Sequence, residues 1–403
     1  MPKNRIIYNT QGLFVAPYSG EYPNGNDYYL ANYKILKRLE KIQSFNYGIN
    51  SNTIELHGMA SKKYIFRDVV GSPQVTFDFS YIPDGVTNEN RLNFDVNHFS
   101  GRYLPMFSGL CTNNLLSNNK DFYLVINKDE NDINSENATV SSSLIKPTTI
   151  EDVIDKNSKN YSLLHFQNCT LNTYGFDVSV GNLPLVTQNY TADNITFYNS
   201  GSGVKYTFLD LKSGINQTNT DTIIIPKNLN YTQSNLSGEN ILLPGDASVT
   251  FYTNNSTGVL FYNETIQSLN FDLNFNRKNY KSVNYKFPII KKIEFPVNGK
   301  LNTSFIVEEN LSGSFFDTLN RNNDYNIVVN FASNKNDVYP TKLVFSGCKF
   351  DAIEYTSNIN SNKIANLNFN FDLDPDTASS RGIYTSGNLM YSYINNQKKV
   401  LIF

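Results

Sequence analysis

Tryptophan is absent from this 403-residue chain, and cysteine and histidine each occur only three times. Cys111, Cys169 and Cys348 are odd in number and nowhere spaced as CxxC, so they give no ground for a disulfide framework or a cysteine zinc site. His57, His98 and His165 lie in different segments with no HxH or HxxxH pair, the pattern of structural rather than catalytic or metal-binding histidines. Only 17% of residues are charged and the formal net charge is −2, which lacks the basic stripe of a general nucleic-acid binder. Apolar runs such as Ile223–Ile225 are strand-sized and fall far short of the ~20 residues that span a bilayer. The opening MPKNRIIYNTQG has no apolar signal-peptide core, so the expectation is a cytosolic, reduced chain with no membrane. Sequons such as those at Asn189, Asn194 and Asn263 follow from the high Asn content and carry little weight for glycosylation.

What is abundant is 27 Tyr, 28 Phe and a great deal of Asn, in a chain that is 40% apolar with a mean hydropathy of −0.39. Aromatics favour strands and Asn favours turns, so this balance predicts a mainly β protein with packed cores and many loops.

The chain also repeats itself. Lys41 to Ile49 (KIQSFNYGI) returns as Thr265 to Leu273 (TIQSLNFDL), both alternating apolar and polar as a half-buried strand does. Further pairs follow in the same order. Gln74–Phe79 matches Lys300–Phe305 at an offset two residues larger, and Cys111–Asn127 matches Phe315–Asn330 as a short helical segment running into a strand. Leu164–Cys169 matches Leu343–Cys348, and Asn194–Phe197 matches Asn366–Phe369. Five blocks in one order indicate an internal duplication. The expected organisation is a first unit over 1–210, a linker over 211–235 and a second unit over 236–403. The repeated core-strand positions are Ile42, Phe45, Tyr47, Val75 and Phe77, then Ile266, Leu269, Phe271, Leu301 and Phe305.

Other segments are read in the same way. Gly12–Pro17 is a short apolar strand, and Asp27–Lys41 has the apolar spacing of a short amphipathic helix. Between the paired strands of each unit lies a basic excursion, 50–70 with Lys62, Lys63 and Arg67, and 275–296 with Arg277, Lys278, Lys281, Lys286, Lys291 and Lys292. These are either protruding arms or solvated loops whose lysines blunt a sheet edge. The acidic, Asn/Ser-rich stretch 129–155 has no counterpart in the second unit and reads as an outward surface insertion.

No motif carries chemistry. Asp372-Leu-Asp-Pro-Asp376 starts like a calcium loop but lacks the glycine at its sixth position, and Ile383 stands where the twelfth-position acid belongs, which leaves a solvated acidic turn. Gly201-Ser-Gly203 is neither a P-loop nor a dinucleotide fingerprint, and GxSxG is absent. The expectation is no enzyme, no catalytic residue, no cofactor and no metal. Repeated strands without repeated chemistry suggest a building block.

Taken together, Gly12–Pro17, Leu39-Glu-Lys-Ile-Gln-Ser44 leading into Phe45–Ile49, the polar loop with Gly58, Arg67-Asp-Val-Val and Ser72–Tyr81 resemble the tail tube (major tail) proteins of long-tailed bacteriophages. The likeness is clearest over 10–82, weaker over 111–200, and reaches the second unit through the repeat. It implies tandem tail-tube-like domains, each of two packed antiparallel β-sheets, sandwich- or barrel-like, with a short flanking helix and a long arm loop.

By that resemblance, the chain is a virion protein made in the host cytoplasm. It assembles with itself into rings that stack as a tube and conduct genomic DNA without binding it specifically. A two-domain chain implies homotrimeric, pseudo-hexameric rings. Tail terminator, baseplate and tape-measure proteins are the implied partners, and the arms, with Lys62, Lys63, Arg67, Arg277, Lys278, Lys281 and Lys286, are the implied inter-subunit contacts. Two alternatives stand beside this one. The chain is a tube initiator, terminator or baseplate protein of the same fold, or a β-rich module that grips host-surface carbohydrate on aromatic faces.

Overall fold

The computed structural model describes residues 11–17, 34–35, 37–50, 53–57, 64–69, 74–83, 87–94, 106–107, 119–127, 161–199, 204–207, 223–224, 247–253, 259–263, 266–280, 288, 290–307, 319–331, 341–357, 363–373 and 382–386. These are almost all strand. The first half contains β1 (Gln11–Pro17), β2 (Lys34–Ile35), β3 (Lys37–Arg38), β4 (Ile42–Asn50), β5 (Thr53–His57), β6 (Tyr64–Val69) and β7 (Gln74–Tyr81). It continues with a five-residue helix α1 (Thr87–Arg91), then β8 (Lys120–Asn127), β9 (Tyr161–Ser179), β10 (Leu185–Ala192), β11 (Asn194–Asn199) and β12 (Val204–Thr207). Next come β13 (Ile223–Ile224), β14 (Ala247–Thr253), β15 (Val259–Asn263), β16 (Ile266–Asn274), β17 (Arg277–Tyr280) and β18 (Ile290–Ile293). The chain then runs through β19 (Val297–Ile306), β20 (Asp324–Phe331), β21 (Thr341–Thr356), β22 (Ile364–Leu373) and β23 (Gly382–Ser386). Among the described residues, no helix is long and apolar enough to cross a membrane.

Seventeen of these strands form one hydrogen-bonded network that divides at two long strands, β9 and β21. The central sheet is antiparallel throughout, in the order β4-β7-β10-β9-β16-β19-β22-β21, and uses only the C-terminal parts of β9 and β21. The N-terminal part of β9 turns into a second sheet, β3-β1-β8-β9-β11-β12. That of β21 enters a third, β15-β14-β20-β21-β23. A strand that changes sheets must bend, and each does so at a left-handed residue, Asn168 (φ 53°) in β9 and Gly347 (φ 74°) in β21. Period-two alternation then packs each outer sheet onto the central one. Phe122 of β8 meets Phe77 and Tyr190, and Phe251 of β14 meets Phe305 and Phe369. The core is continuous through both halves.

The two halves share ladder registers as well as strand types. The β4–β7 ladder runs from Ile42↔Tyr81 and slips by one residue before Ser44↔Ser80; the β16–β19 ladder runs from Ile266↔Phe305 and slips before Ser268↔Ser304. In both, the two serine hydroxyls bond to each other, at 2.6 and 2.5 Å. The β5–β6 and β17–β18 hairpins follow at the same 224-residue offset, Thr53↔Val69 answering Arg277↔Ile293. β9 and β21 correspond at an offset of 179, with irregularities at matching places in the β9–β10 and β21–β22 ladders.

These registers correct several sequence expectations. The offset stays at 224 through the second strand, so Phe79 answers Thr303 and Tyr81 answers Phe305; simple alternation is satisfied equally by a two-residue slip and does not distinguish 224 from 226. The strand answering β22 is β10, not the Asn194–Phe197 segment, which lies in β11 and pairs with the N-terminal part of β9, as β23 does with β21. Within 27–41 the described residues include strands β2 and β3, and the helix among the described residues is instead α1. Asp372 lies in β22 opposite Asn298 rather than in a turn. The insertion 129–155 and residues Lys62, Lys63, Lys281 and Lys286 lie outside the described residues.

Candidate assembly surfaces

The central sheet has two ends. Among the described residues, β4 is laddered to β7 alone and β21 beyond Ala352 to β22 alone. The counterpart of β4 in the second half, β16, is not an end: its far edge pairs with β9 from Ser268↔Ser179 to Asn274↔Thr173, which joins the two halves.

That difference decides burial. Leu269, Phe271 and Leu273 of β16 are 2%, 1% and 1% exposed, whereas Tyr47 and Ile49 at the matching positions of β4 are 48% and 43% exposed, with Phe45 partly buried. On the other side of the junction Phe176 is 5% exposed, and its counterpart Tyr355 is 47% exposed. The alternation marks all of these as core-type positions; what one sequence cannot show is that β4 and β21 close the sheet. Of the remaining predicted core positions, Val75, Phe77, Leu301 and Phe305 are fully buried, while Ile42 and Ile266 are partly buried against the core.

The face of the central sheet opposite the core is polar along all eight strands. Asn46 donates to Asp78 at 3.0 Å in the first half, and Asn302 donates to Asn270 at 2.8 Å in the second. Charge on this face is sparse and more acidic than basic, with Asp78, Asp177, Asp272, Glu354 and Asp372 against Lys300 and Lys349. Partial burial, helped by the nearby Asp177 carboxylate, raises the Asp272 carboxyl above its ordinary range.

The hairpin arms reach sideways. The β17–β18 arm lies over the bend of β9: the Phe275 amide donates to the Asn172 carbonyl at 2.7 Å, and Arg277 Nε donates to the Leu171 carbonyl at 3.3 Å. Lys291 Nζ sits 2.6 Å from an Asp193 carboxylate oxygen and donates to the Asn168 carbonyl at 3.2 Å; both of these charged side chains are nearly buried. Asn168 donates from its side chain to Asp193 and from its backbone to Asp121 (2.9 Å), and the second Asp121 oxygen lies 3.2 Å from His165 Nε2. Burial, with the Asp121 carboxylate adding to it, pushes the adjacent Cys169 thiol well above its usual range. Sequence singled out the basic arms but not this latch, because Lys291 meets partners from a distant part of the chain. Lys278 instead lies over the Tyr280 ring, 5.8 Å from its centroid, and Arg67 sits in β6 opposite Glu55.

The first half also encloses a polar network that the repeat did not disclose. Tyr81 and Tyr174 both donate to Glu89 of α1, at 2.5 and 3.1 Å, and Gln188 donates to the Tyr81 hydroxyl at 2.9 Å. Tyr190 donates to Gln188 at 2.8 Å. Burial chiefly, and Glu89 next, raise the Tyr81 and Tyr174 hydroxyls well above their ordinary range. At the matching positions the second half has Phe305, Ile353, Leu367 and Phe369, so this network is not part of the shared frame.

No protein family and no curated protein matches this sequence. Among solved structures, a chain of the anti-feeding prophage baseplate, from a 6-fold symmetrised cryo-EM structure, matches 36% of this chain and 93% of its own, at 18% identity and a TM-score of 0.25. A TM-score that low does not demonstrate a common fold.

Proposed function

We propose that this chain is a phage virion structural protein whose copies join head to tail into closed rings that stack as a tail tube. The observation that carries the proposal is that one strand edge is buried in the second half, where β9 covers β16, and is presented again, half-exposed, by β4 in the first. A chain that ends its sheet with the edge its own interior pairs has a heterologous interface, and such interfaces generate rings when the rotation closes. The tail-tube resemblance of 10–82 supplies the ring class, and two alike units per chain make three copies equivalent to six. In such a ring the polar face lines the channel. Its Asn-rich, faintly acidic surface gives phosphates little to bind, so DNA passes without salt-dependent retention.

The domain division, the absence of catalytic chemistry and partnership with other tail proteins belong to the same proposal. A carbohydrate-gripping module would need exposed aromatics side by side, whereas the exposed tyrosines among the described residues are spread over one end of the central sheet (Tyr47), the β17–β18 arm (Tyr280) and the other end (Tyr355). Mass photometry and negative-stain electron microscopy of the purified full chain test the proposal. Threefold rings with a central channel, stacking into tubes, are expected, and Ile49→Lys on the exposed edge should leave folded monomers. Rings that never stack would move the assignment to a terminator or baseplate role; monomers from the unaltered chain at all concentrations would overturn it.

A further inference from the structure

The chain carries its own template for the contact between copies. Along the internal junction, Phe271 of β16 stands opposite Phe176 of β9, and their rings stack at 5.6 Å with 25° between planes. Fixed offsets of 224 for β4/β16 and 179 for β9/β21 carry this ladder onto the two ends of the sheet. Leu269↔Val178 becomes Phe45↔Ser357, Asn270↔Asp177 becomes Asn46↔Thr356, Phe271↔Phe176 becomes Tyr47↔Tyr355, and Leu273↔Tyr174 becomes Ile49↔Ile353. The strand directions agree, since the central sheet alternates from β4 to β21 and the new pair is antiparallel like the old. Local packing agrees too: Tyr47 meets Phe166 edge-on at 5.7 Å, as Phe271 meets Phe345 at 5.0 Å, and Phe166 and Phe345 are counterparts.

Resting on the ring proposal, we infer that β4 of one copy adds to β21 of the next in this register, and that the β5–β6 arm then takes the place over the bend of β21 that β17–β18 takes over β9. Arg67 holds the arm position of Lys291, opposite Glu55 as Lys291 is opposite Asn279, and Gly347 holds the position of Asn168, whose carbonyl Lys291 contacts. The partner surface is therefore a second copy of this chain, its edge apolar on the core side and polar on the other.

Paired cysteines read the register. Directly opposed residues bring Cα atoms within the 4.4–6.8 Å that a disulfide spans, while diagonal neighbours at about 7–8 Å do not. Within one chain the two ends are seven strand spacings apart, about 34 Å along the sheet, so a bond between them forms only between copies. Oxidised Asn46→Cys/Thr356→Cys, both on the exposed face, should give a covalent ladder closing at the ring size, and Asn46→Cys/Glu354→Cys should not. Asn46→Cys and Thr356→Cys chains kept apart should stay uncrosslinked and give dimers when mixed. Arg67→Ala should raise the concentration needed for rings about tenfold. Rings seen by mass photometry with bonds only in the shifted pair, or in neither, would overturn the register while leaving ring formation intact. Self-crosslinking of either single variant would replace the head-to-tail contact with a twofold one. Absence of rings from the unaltered chain would overturn both proposals.

Discussion

Replacing Gly299 by valine puts a branched side chain where the second half has no room. A Cβ at Gly299 would lie 2.3 Å from Cζ of Phe371, its partner across the β19–β22 ladder, and 2.8 Å from Leu273 Cδ2. At the same place in the first half, the β7–β10 ladder opposes Val75 and Ala192, both fully buried. One half therefore fills the space with Gly and Phe, the other with Val and Ala. Gly299→Val alone should cost about 3 kcal/mol, the upper part of the usual overpacking range, because the clash is with a ring fixed in the core. Phe371→Ala alone should cost about 3–5 kcal/mol through lost burial and the cavity left behind. Were the sites independent, the double variant would lose about 6–8 kcal/mol. Instead the valine occupies part of the vacated volume, leaving a deficit of roughly three methylene-sized groups, or about 2–3 kcal/mol. The double-mutant cycle should thus show a coupling of about 3 kcal/mol or more, in the direction of rescue. Equilibrium urea unfolding of the four proteins measures it. Additivity within about 0.5 kcal/mol would refute the equivalence of the two ladders on which this reasoning and the junction register both depend.

Lys291→Met should loosen the β17–β18 arm by about 3–5 kcal/mol, since it leaves Asp193 nearly buried without its cation; amide hydrogen exchange across β18 and the bend of β9 reads it, and unchanged protection would count against the latch. Asp272→Asn should stabilise the protein at neutral pH and not in acid. The fold raises this carboxyl above its ordinary 3.8, so it holds the proton more tightly than the unfolded chain, and stability falls as pH rises from about that value through the folded pKa. A gain equally large below that window in pH-dependent thermal melts would contradict this sign. Tyr47→Phe should assemble at a several-fold lower concentration, because moving its half-exposed hydroxyl from water into the contact costs about 0.5–2 kcal/mol; an unchanged threshold by mass photometry would place that hydroxyl outside the contact.

Much of the frame was legible because strands write a period of two. The Ile-Gln-Ser start of β4 and β16 and the Gly12 strand are local patterns that fall where alternation puts them, whereas the basic stretches, marked by charge as arms or solvated loops, contain the hairpins β5–β6 and β17–β18. What alternation cannot fix is register: a slip of two residues keeps every side chain on its face, so the Gln74 strand was matched two residues off. Nor does it say which core-type strand ends a sheet. Phe45-Asn-Tyr-Gly-Ile49 and Leu269-Asn-Phe-Asp-Leu273 read alike, and only the pairing of β16 with β9 separates a buried strand from an exposed one. The Glu89 network and the Lys291 latch were invisible for a further reason. Each gathers polar residues from distant segments, and in the second half the frame carries apolar residues in place of the first.

The chemistry of the two ends fits a contact that must wait for its partner. An exposed strand edge is a liability, open to any chain with unpaired amides. Where the junction is internal and permanent, its centre is Phe271 on Phe176, with Leu269 and Leu273 beside them, all nearly inaccessible to water. Where it is open, the same two places are Tyr47 and Tyr355, whose rings pack like phenylalanine while their hydroxyls remain acceptable to solvent. Glycine stands at 48, where β16 has Asp272, and Glu354 holds the place of Gly175 opposite it. This exchange keeps one acid and one glycine at the pair while moving the charge from the β16 side to the β21 side. The charge then guards an edge that has no covalent neighbour, and it still meets a glycine when the right strand arrives. A strand in another register would bring a side chain against that carboxylate. On the proposed register, the same exchange would disfavour pairing in other registers and favour the pairing already used inside the chain.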